Sequence, residues 1–271
     1  MDLRQCSAVV SGGAGGLGGA TSRRLVELGV AVVIFEPELG RAAALAAELG
    51  DRAVPFEGDH NSEADVLAAI EIARRLGTFS INVNSAGVAI AAPTTATADG
   101  VAHDMSIFHS MIELHLFGPF NMSRLSAAAF AANPPDADGQ RGVIINTSST
   151  AAYDGQAKQA AYSAAKAAIA GMTLAMARDL AAIGVRTCAI APGPILTPRL
   201  ARASDALKAE LTKNVAFPKR FGHPEEFASL VEAILRTPFL NGQTIRLDGA
   251  LSTPLADFGM PAPGAGPSPG R

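Results

Sequence analysis

Tryptophan is absent from the 271 residues, and tyrosine and cysteine occur twice each. Two cysteines, Cys6 and Cys188, cannot frame a disulfide-stapled secreted module, so a reducing, cytoplasmic setting is expected. No run of about 18 apolar residues is present, and no membrane span is expected. Nor is a secretory leader, because Met1-Asp2-Leu3-Arg4-Gln5 passes straight into an apolar strand pattern. Positive charge is in no excess: 22 Lys and Arg face 25 Asp and Glu, for a formal charge of -3. That balance excludes a polybasic nucleic-acid binder. The sequence shows no repeat at solenoid periods. His103, His109 and His223 lack a convergent acidic or cysteine partner, and no metal site is expected.

What is present is a chain that is 48% hydrophobic, enough to exclude wholesale disorder. Short apolar runs at 7–10, 30–35, 52–56, 79–83, 142–147, 185–190 and 243–247 read as strands. Helical patterns at 17–28, 38–49, 63–76, 105–132, 156–182 and 224–235 separate them. Runs such as AVV, VAVVIF and GVIIN are apolar on both faces, as strands sandwiched between helix layers must be. The expectation is an α/β fold: one domain over residues 1–260, a doubly wound parallel sheet of Rossmann type with helices on both faces. Residues 261–271 (PAPGAGPSPGR) read as a Pro/Gly-rich mobile tail.

Ser11-Gly12-Gly13-Ala14-Gly15-Gly16-Leu17-Gly18 joins the first strand to the first helix. Glycines there permit a tight turn and close approach of a pyrophosphate, and the helix start supplies unpaired N–H groups and a favourable dipole. Glu36 ends the second strand, where a carboxylate can bond the ribose hydroxyls of a dinucleotide. Glu38 adds negative charge, and the turn carries no Lys or Arg, so a 2′-phosphate meets repulsion without an arginine clamp. That favours NAD over NADP. Asp59 after the third strand and Asn84-Ser85-Ala86-Gly87 after the fourth suit cofactor contact or ordinary turn chemistry equally.

Tyr162 and Lys166, at i and i+4, share one face of a helix. A Tyr beside an ammonium is an acid/base device, since the positive charge favours the phenolate. Ser149 follows the fifth strand, at the sheet edge where ligands bind in open α/β folds, and its hydroxyl can hold a substrate oxygen.

These motifs together resemble the short-chain dehydrogenase/reductase family over nearly the whole chain. Ser11 to Gly18 is similar to the family's Thr-Gly-x-x-x-Gly-x-Gly, with Ser for Thr. Asn84 to Gly87 is similar to its Asn-Ala-Gly element with one residue more, and Ser149, Tyr162 and Lys166 to its Ser…Tyr-x-x-x-Lys set. Pro192-Gly193, with Thr197 beyond, resembles its Pro-Gly element. The segments GQRGVIINTSSTAAYDGQAKQAAYSAAK, MTLAMARDLAAIGVR and TPFLNGQTIRLDGA narrow the likeness to the type-2 3-hydroxyacyl-CoA dehydrogenase subfamily, also called a 17β-hydroxysteroid dehydrogenase. The resemblance implies NAD as cofactor, a homotetramer and a small hydroxy or keto substrate. It implies cofactor contact by Ser11, Gly12, Gly16, Leu17, Gly18, Glu36, Asp59, Asn84, Ala86, Gly87, Tyr162, Lys166, Pro192, Gly193 and Thr197. It implies substrate contact by Gln156 and Gln159.

His115 departs from the family: it stands where a helix-borne Asn shapes a water-linked proton relay to the Lys. Either the imidazole takes over the relay, as a catalytic residue, or it is accommodated with weakened catalysis. His60, after Asp59, replaces an apolar residue of the subfamily. Residues 191–219 read as a lid, with Ile195, Leu196, Leu200 and Phe217 as candidate lining and Arg199, Arg202, Lys208 and Lys213 as cations for CoA phosphates. The expected reaction is NAD-dependent interconversion of a secondary alcohol and a ketone, on a 3-hydroxyacyl-CoA or hydroxysteroid. A generic secondary-alcohol dehydrogenase and a catalytically weak cofactor-binding scaffold are the alternatives.

Overall fold

The computed structural model describes residues 1–87, 95–97, 99–155 and 157–251. Seven strands form one sheet: β1 Cys6–Ser11, β2 Ala31–Glu36, β3 Ala53–Glu57, β4 Thr78–Asn84, β5 Gly142–Thr147, β6 Val185–Pro192 and β7 Thr244–Leu247. They lie in the order β3-β2-β1-β4-β5-β6-β7, and every pairing is parallel. The chain lays strands outward from β1 on one side, then returns to β4 and builds the other. The crevice outside the carboxyl ends of β1 and β4 is therefore the topological switch point, where such sheets bind ligands.

All six residues of β1, β2 and β5 are buried, as their unbroken apolar runs require. Pro55 is tolerated because β3 is an edge strand, where a missing N–H costs no central ladder bond. On one face Ala8, Val10, Val32 and Ile34 pack with Leu25 of α1 (Gly16–Glu27), Leu45 of α2 (Leu39–Leu49), and Phe227 and Val231 of α9 (Pro224–Arg236). On the other, Val9, Val33 and Ile144 pack with Val66 and Ile70 of α3 (Glu63–Leu76) and with Met122 and Phe130 of α5 (Gly118–Phe130).

Three helical segments differ from the sequence expectation. The helix expected over 105–132 is α4 (Met105–Ile112), a π-helical turn (Glu113–Phe117) and then α5. Pro119 accounts for the break: it has no N–H for the carbonyl four residues back, and its ring clashes there. The helix expected from 156 begins later, as α6 (Ala160–Leu180), because Lys158 takes a left-handed φ of 67°. Gln156 and residues 261–271 lie outside the described residues. Within the lid, α7 (Pro198–Ala201) and α8 (Asp205–Thr212) start at Thr197 and Ser204, whose side chains accept from backbone N–H groups three residues on.

Candidate active site

The switch point opens into a cavity of 1340 Å³. Its floor is the turn between β1 and α1. Gly12 has φ 64°, and a Cβ there would stand 2.6 Å from Ala86 Cα, so only glycine fits beside the 85–87 segment. A Cβ on Gly18 would strike the Gly12 carbonyl. The Gly15 N-cap of α1 makes no side-chain hydrogen bond, which leaves the helix start open to an anion. A bare, glycine-lined helix start at the switch point fits a dinucleotide phosphate.

Most expected cofactor residues line this cavity: Gly12, Gly16, Leu17, Gly18, Glu36, Asp59, Ala86, Gly87, Tyr162, Pro192, Gly193 and Thr197. Ser11 and Asn84 do not. Ser11 is buried and its carbonyl accepts from the Ser85 N–H (3.1 Å) and Oγ (2.7 Å), locking β4's exit onto β1. Asn84 is a buried hub, with Nδ2 in reach of Asn146 Oδ1 (2.8 Å), Asn82 Oδ1 (2.9 Å) and Ser123 Oγ (3.1 Å). Asp59 lines the wall, but its Oδ1 accepts from the Asn61 backbone N–H at 2.8 Å and Nδ2 at 3.1 Å, so turn chemistry already occupies it.

At the far end Ser149, directly after β5, and Tyr162, in the first turn of α6, both line the cavity. Lys166 lies beneath them, buried and off the wall. Its Nζ donates to the Thr147 carbonyl (2.8 Å) and sits 5.7 Å from the Tyr162 ring centroid. Ser148 Oγ donates in turn to the Lys166 carbonyl at 2.8 Å, so the end of β5 and α6 are stapled together and hold the three groups in register.

Burial pushes the Tyr162 phenol above its ordinary range, with only the Ser149 hydrogen bond pulling it down. Burial takes Lys166 from 10.5 down to about 7. Lys166 Nζ, desolvated and held by the Thr147 carbonyl, stands 5.7 Å from the Tyr162 ring centroid, where its charged form favours the phenolate.

His115 sits in the π-helical turn, buried, with its ring edge-on to Tyr162 (5.0 Å between centroids, 88°) and seated where a side chain on Gly87 would stand. It is behind the site, off the cavity wall. His60 does line the cavity at its adenosine end. Its tip packs on Gly118, Nδ1 is buried without a hydrogen-bond partner, and burial lowers its pKa.

Gln159, Ile195 and Leu200 line the substrate side, whereas Phe217 is 82% exposed and turned away. Of the lid cations only Arg199 reaches the cavity, while Lys208 and Lys213 face their helix neighbours Asp205 (3.7 Å) and Glu210 (3.6 Å). Sequence reading missed Arg41, which the first turn of α2 swings into the wall beside Glu36. Its place five residues after the strand-end acid was the available signal.

The chain matches the short chain dehydrogenase family over residues 7–208. It is 46% identical over 250 residues to the 3-hydroxyacyl-CoA dehydrogenase type-2 of Drosophila melanogaster, covering 92% of this chain and 98% of that protein. It is 46% identical to the Homo sapiens protein of the same name (90% and 94% covered), and 35% identical to the ipsdienol dehydrogenase of Ips pini (90% and 95% covered). The crystal structure of 3-hydroxyacyl-CoA dehydrogenase type-2 from Mycobacterium avium superposes with a TM-score of 0.91 at 43% identity, covering 93% of this chain and 98% of that one.

Proposed function

Because this chain belongs to the short-chain dehydrogenase family, an oxidoreductase family, we propose that it interconverts a secondary alcohol and a ketone with NAD(H), acting on 3-hydroxyacyl-CoA esters or hydroxysteroids. The observation that carries the reading is the convergence of Ser149 and Tyr162, backed by buried Lys166, in one cavity with the glycine-lined helix start.

When bound, the nicotinamide ring accepts or donates the hydride. Gly12, Gly16 and Gly18 would admit the dinucleotide's phosphates, and the Glu36 carboxylate would take ribose hydroxyls, which favours the unphosphorylated dinucleotide. Ser149 Oγ holds the substrate oxygen. Tyr162 removes the alcohol proton in oxidation and returns it in reduction. Lys166 supplies positive charge behind the phenol, and His115, its ring edge-on to Tyr162, takes the usual Asn's place in the relay to Lys166. Gln159, Ile195 and Leu200 offer the mixed polar and apolar wall that an acyl chain or a steroid needs.

The substrate assignment leans on the names of the relatives and on this wall. Reduced-nicotinamide formation should be followed with 3-hydroxyacyl-CoA esters, hydroxysteroids and simple secondary alcohols. Highest kcat/KM with an acyl-CoA ester or a steroid is expected. Preference for a simple alcohol refutes the substrate class, and no turnover with any of them refutes the reaction.

We also propose a homotetramer working in the cytoplasm. Exposed Phe117, Phe120 and Leu174 on the outer faces of the α4–α5 segment and α6 support assembly, and the two buried free thiols suit a reducing compartment. Light scattering on the purified chain tests the first, and fractionation of the source cells tests the second.

A further inference from the structure

We propose that Arg246 is a positioning residue for the reaction: its guanidinium ties the turn that carries Ser149, the Leu251 wall and the root of the lid into one rim on the substrate side of the cavity. The inference deepens the alcohol–ketone reading above and rests on it for its kinetic arm alone. Arg246 stands on β7, an edge strand, with its side chain 34% exposed. Its Nη2 donates to Asp154 Oδ2 at 2.6 Å and to the Leu251 carbonyl at 2.8 Å, and its Nε donates to Asp248 Oδ2 at 2.7 Å. The guanidinium carbon lies 5.5 Å from the Tyr153 ring centroid. An isolated exposed ion pair contributes little, but a planar fork that meets two carboxylates, a carbonyl and a ring at once fixes the segments that carry them.

Each acceptor leads to the site. Asp154 ends the turn that starts at Ser149: the Ala152 N–H donates to the Ser149 carbonyl at 3.0 Å, and those of Tyr153 and Asp154 to the Thr150 carbonyl at 2.9 Å. That turn leaves β5 and passes β6 to reach Arg246, so the grip on Asp154 fixes the far end of the segment from which Ser149 presents its hydroxyl. Past β7, Gly249 (φ 61°) and Ala250 (φ 55°) are both left-handed, a strained reversal for alanine that puts Leu251 on the cavity wall. Asp248 Oδ1 accepts from the Ala250 N–H at 3.1 Å, and Arg246 holds the Leu251 carbonyl. The same reversal roots the lid, because the Ala216 and Phe217 N–H groups donate to the Gly249 carbonyl at 3.0 and 3.1 Å. Serine turn, wall and lid root therefore form one body only while Arg246 keeps its three acceptors.

The test compares the full chain with Arg246→Met, Arg246→Lys, Asp154→Asn and the double variant of Arg246→Met with Asp154→Asn. Hydrogen–deuterium exchange is read at the amides of Ala152, Asp154, Ala216, Phe217 and Leu251, with Gly15 and Gly19 of the glycine-rich turn as reference. Arg246→Met should speed exchange about 10-fold or more in all three segments and leave the reference amides unchanged. With 3-hydroxybutyryl-CoA as probe, or a 17β-hydroxysteroid where that ester is not turned over, it should lower kcat/KM about 10- to 100-fold. Most of that loss should lie in kcat, with NAD Kd within about 2-fold of wild type. Arg246→Lys, which keeps the charge and loses the fork, should fall between. The double variant should be within about 2-fold of Arg246→Met, because Asp154 acts through Arg246. Asp154→Asn leaves Asp248 and Leu251 held, so it should loosen 152–154 alone and lower kcat about 3- to 10-fold. It carries the test if Arg246→Met no longer binds NAD, and unchanged exchange and kcat in it overturn the inference. Faster exchange confined to Leu251 in Arg246→Met, or a loss carried by KM with kcat unchanged, also overturns it. Wild type turning over neither probe refutes the reaction reading instead, and the exchange pattern then decides the clamp by itself.

Discussion

Replacing Lys166 by Met isolates the cost of a buried ammonium. Lys166 is 3% exposed, its one acceptor among the described residues is the Thr147 carbonyl, and burial takes its pKa from 10.5 to about 7. A fall of that size corresponds to roughly 5 kcal/mol against the charged form in the folded chain. The folded pKa lies below the unfolded one, so between the two the unfolded chain binds more protons and stability rises with pH. The penalty is complete below about 7 and is relieved progressively as the pH climbs towards 10.5. Between about pH 7 and pH 9 this group should add about 2 kcal/mol to wild-type stability, and the Met variant should lack that increment. Urea unfolding of both proteins at a series of pH values reads the difference directly, since all other titrating groups are shared. Parallel stability curves for wild type and Lys166→Met would refute the reasoning and place the ammonium in water.

Three further outcomes follow from the site. Tyr162→Phe should lower turnover about 100- to 10,000-fold while cofactor Kd stays within about 2-fold, because only the proton-transfer group is lost. Comparable loss in both would make Tyr162 a binding residue. His115→Asn should change the pH–rate profile through the Tyr162 ring it abuts, and an unchanged rate and profile sinks the relay role. Asn84→Ala strands the buried Asn82 Oδ1, leaves Asn146 Oδ1 with Ser123 Oγ at 3.3 Å, and should cost about 1 to 3 kcal/mol in unfolding free energy. A loss under about 0.5 kcal/mol would show that the hub is dispensable.

Much of this protein is determined by local chemistry that the sequence displays. Apolar runs with no polar face can only be strands covered on both sides, so the parallel sheet and its helix layers were legible. The glycine cluster after β1 was legible because a positive φ and a backbone contact leave Gly12 no substitute. Helical spacing put Tyr162 and Lys166 on one face, and the glycine-rich turn and the strand-end Ser149 together with them made the pair legible as a site. The π-helical turn inside the helix expected over 105–132 was not read from the sequence, and its use as a seat for His115 against Tyr162 requires α6 alongside.

Tertiary packing decided the rest, because burial and long-range approach set charge states and exposure. It turned Asn84 inward as a hub and drew Ser11 off the wall, although both occupy motif positions. It stripped Lys166 of water, and that burial brings its ammonium from 10.5 down to about 7. It also brought Arg41 from the next helix to within 3.7 Å of Glu36, a cation that counting charges within the glycine-rich turn could not reveal. Spacing along the chain specifies which groups share an element. Only the packed fold specifies which groups share a dielectric, and that is what sets their chemistry.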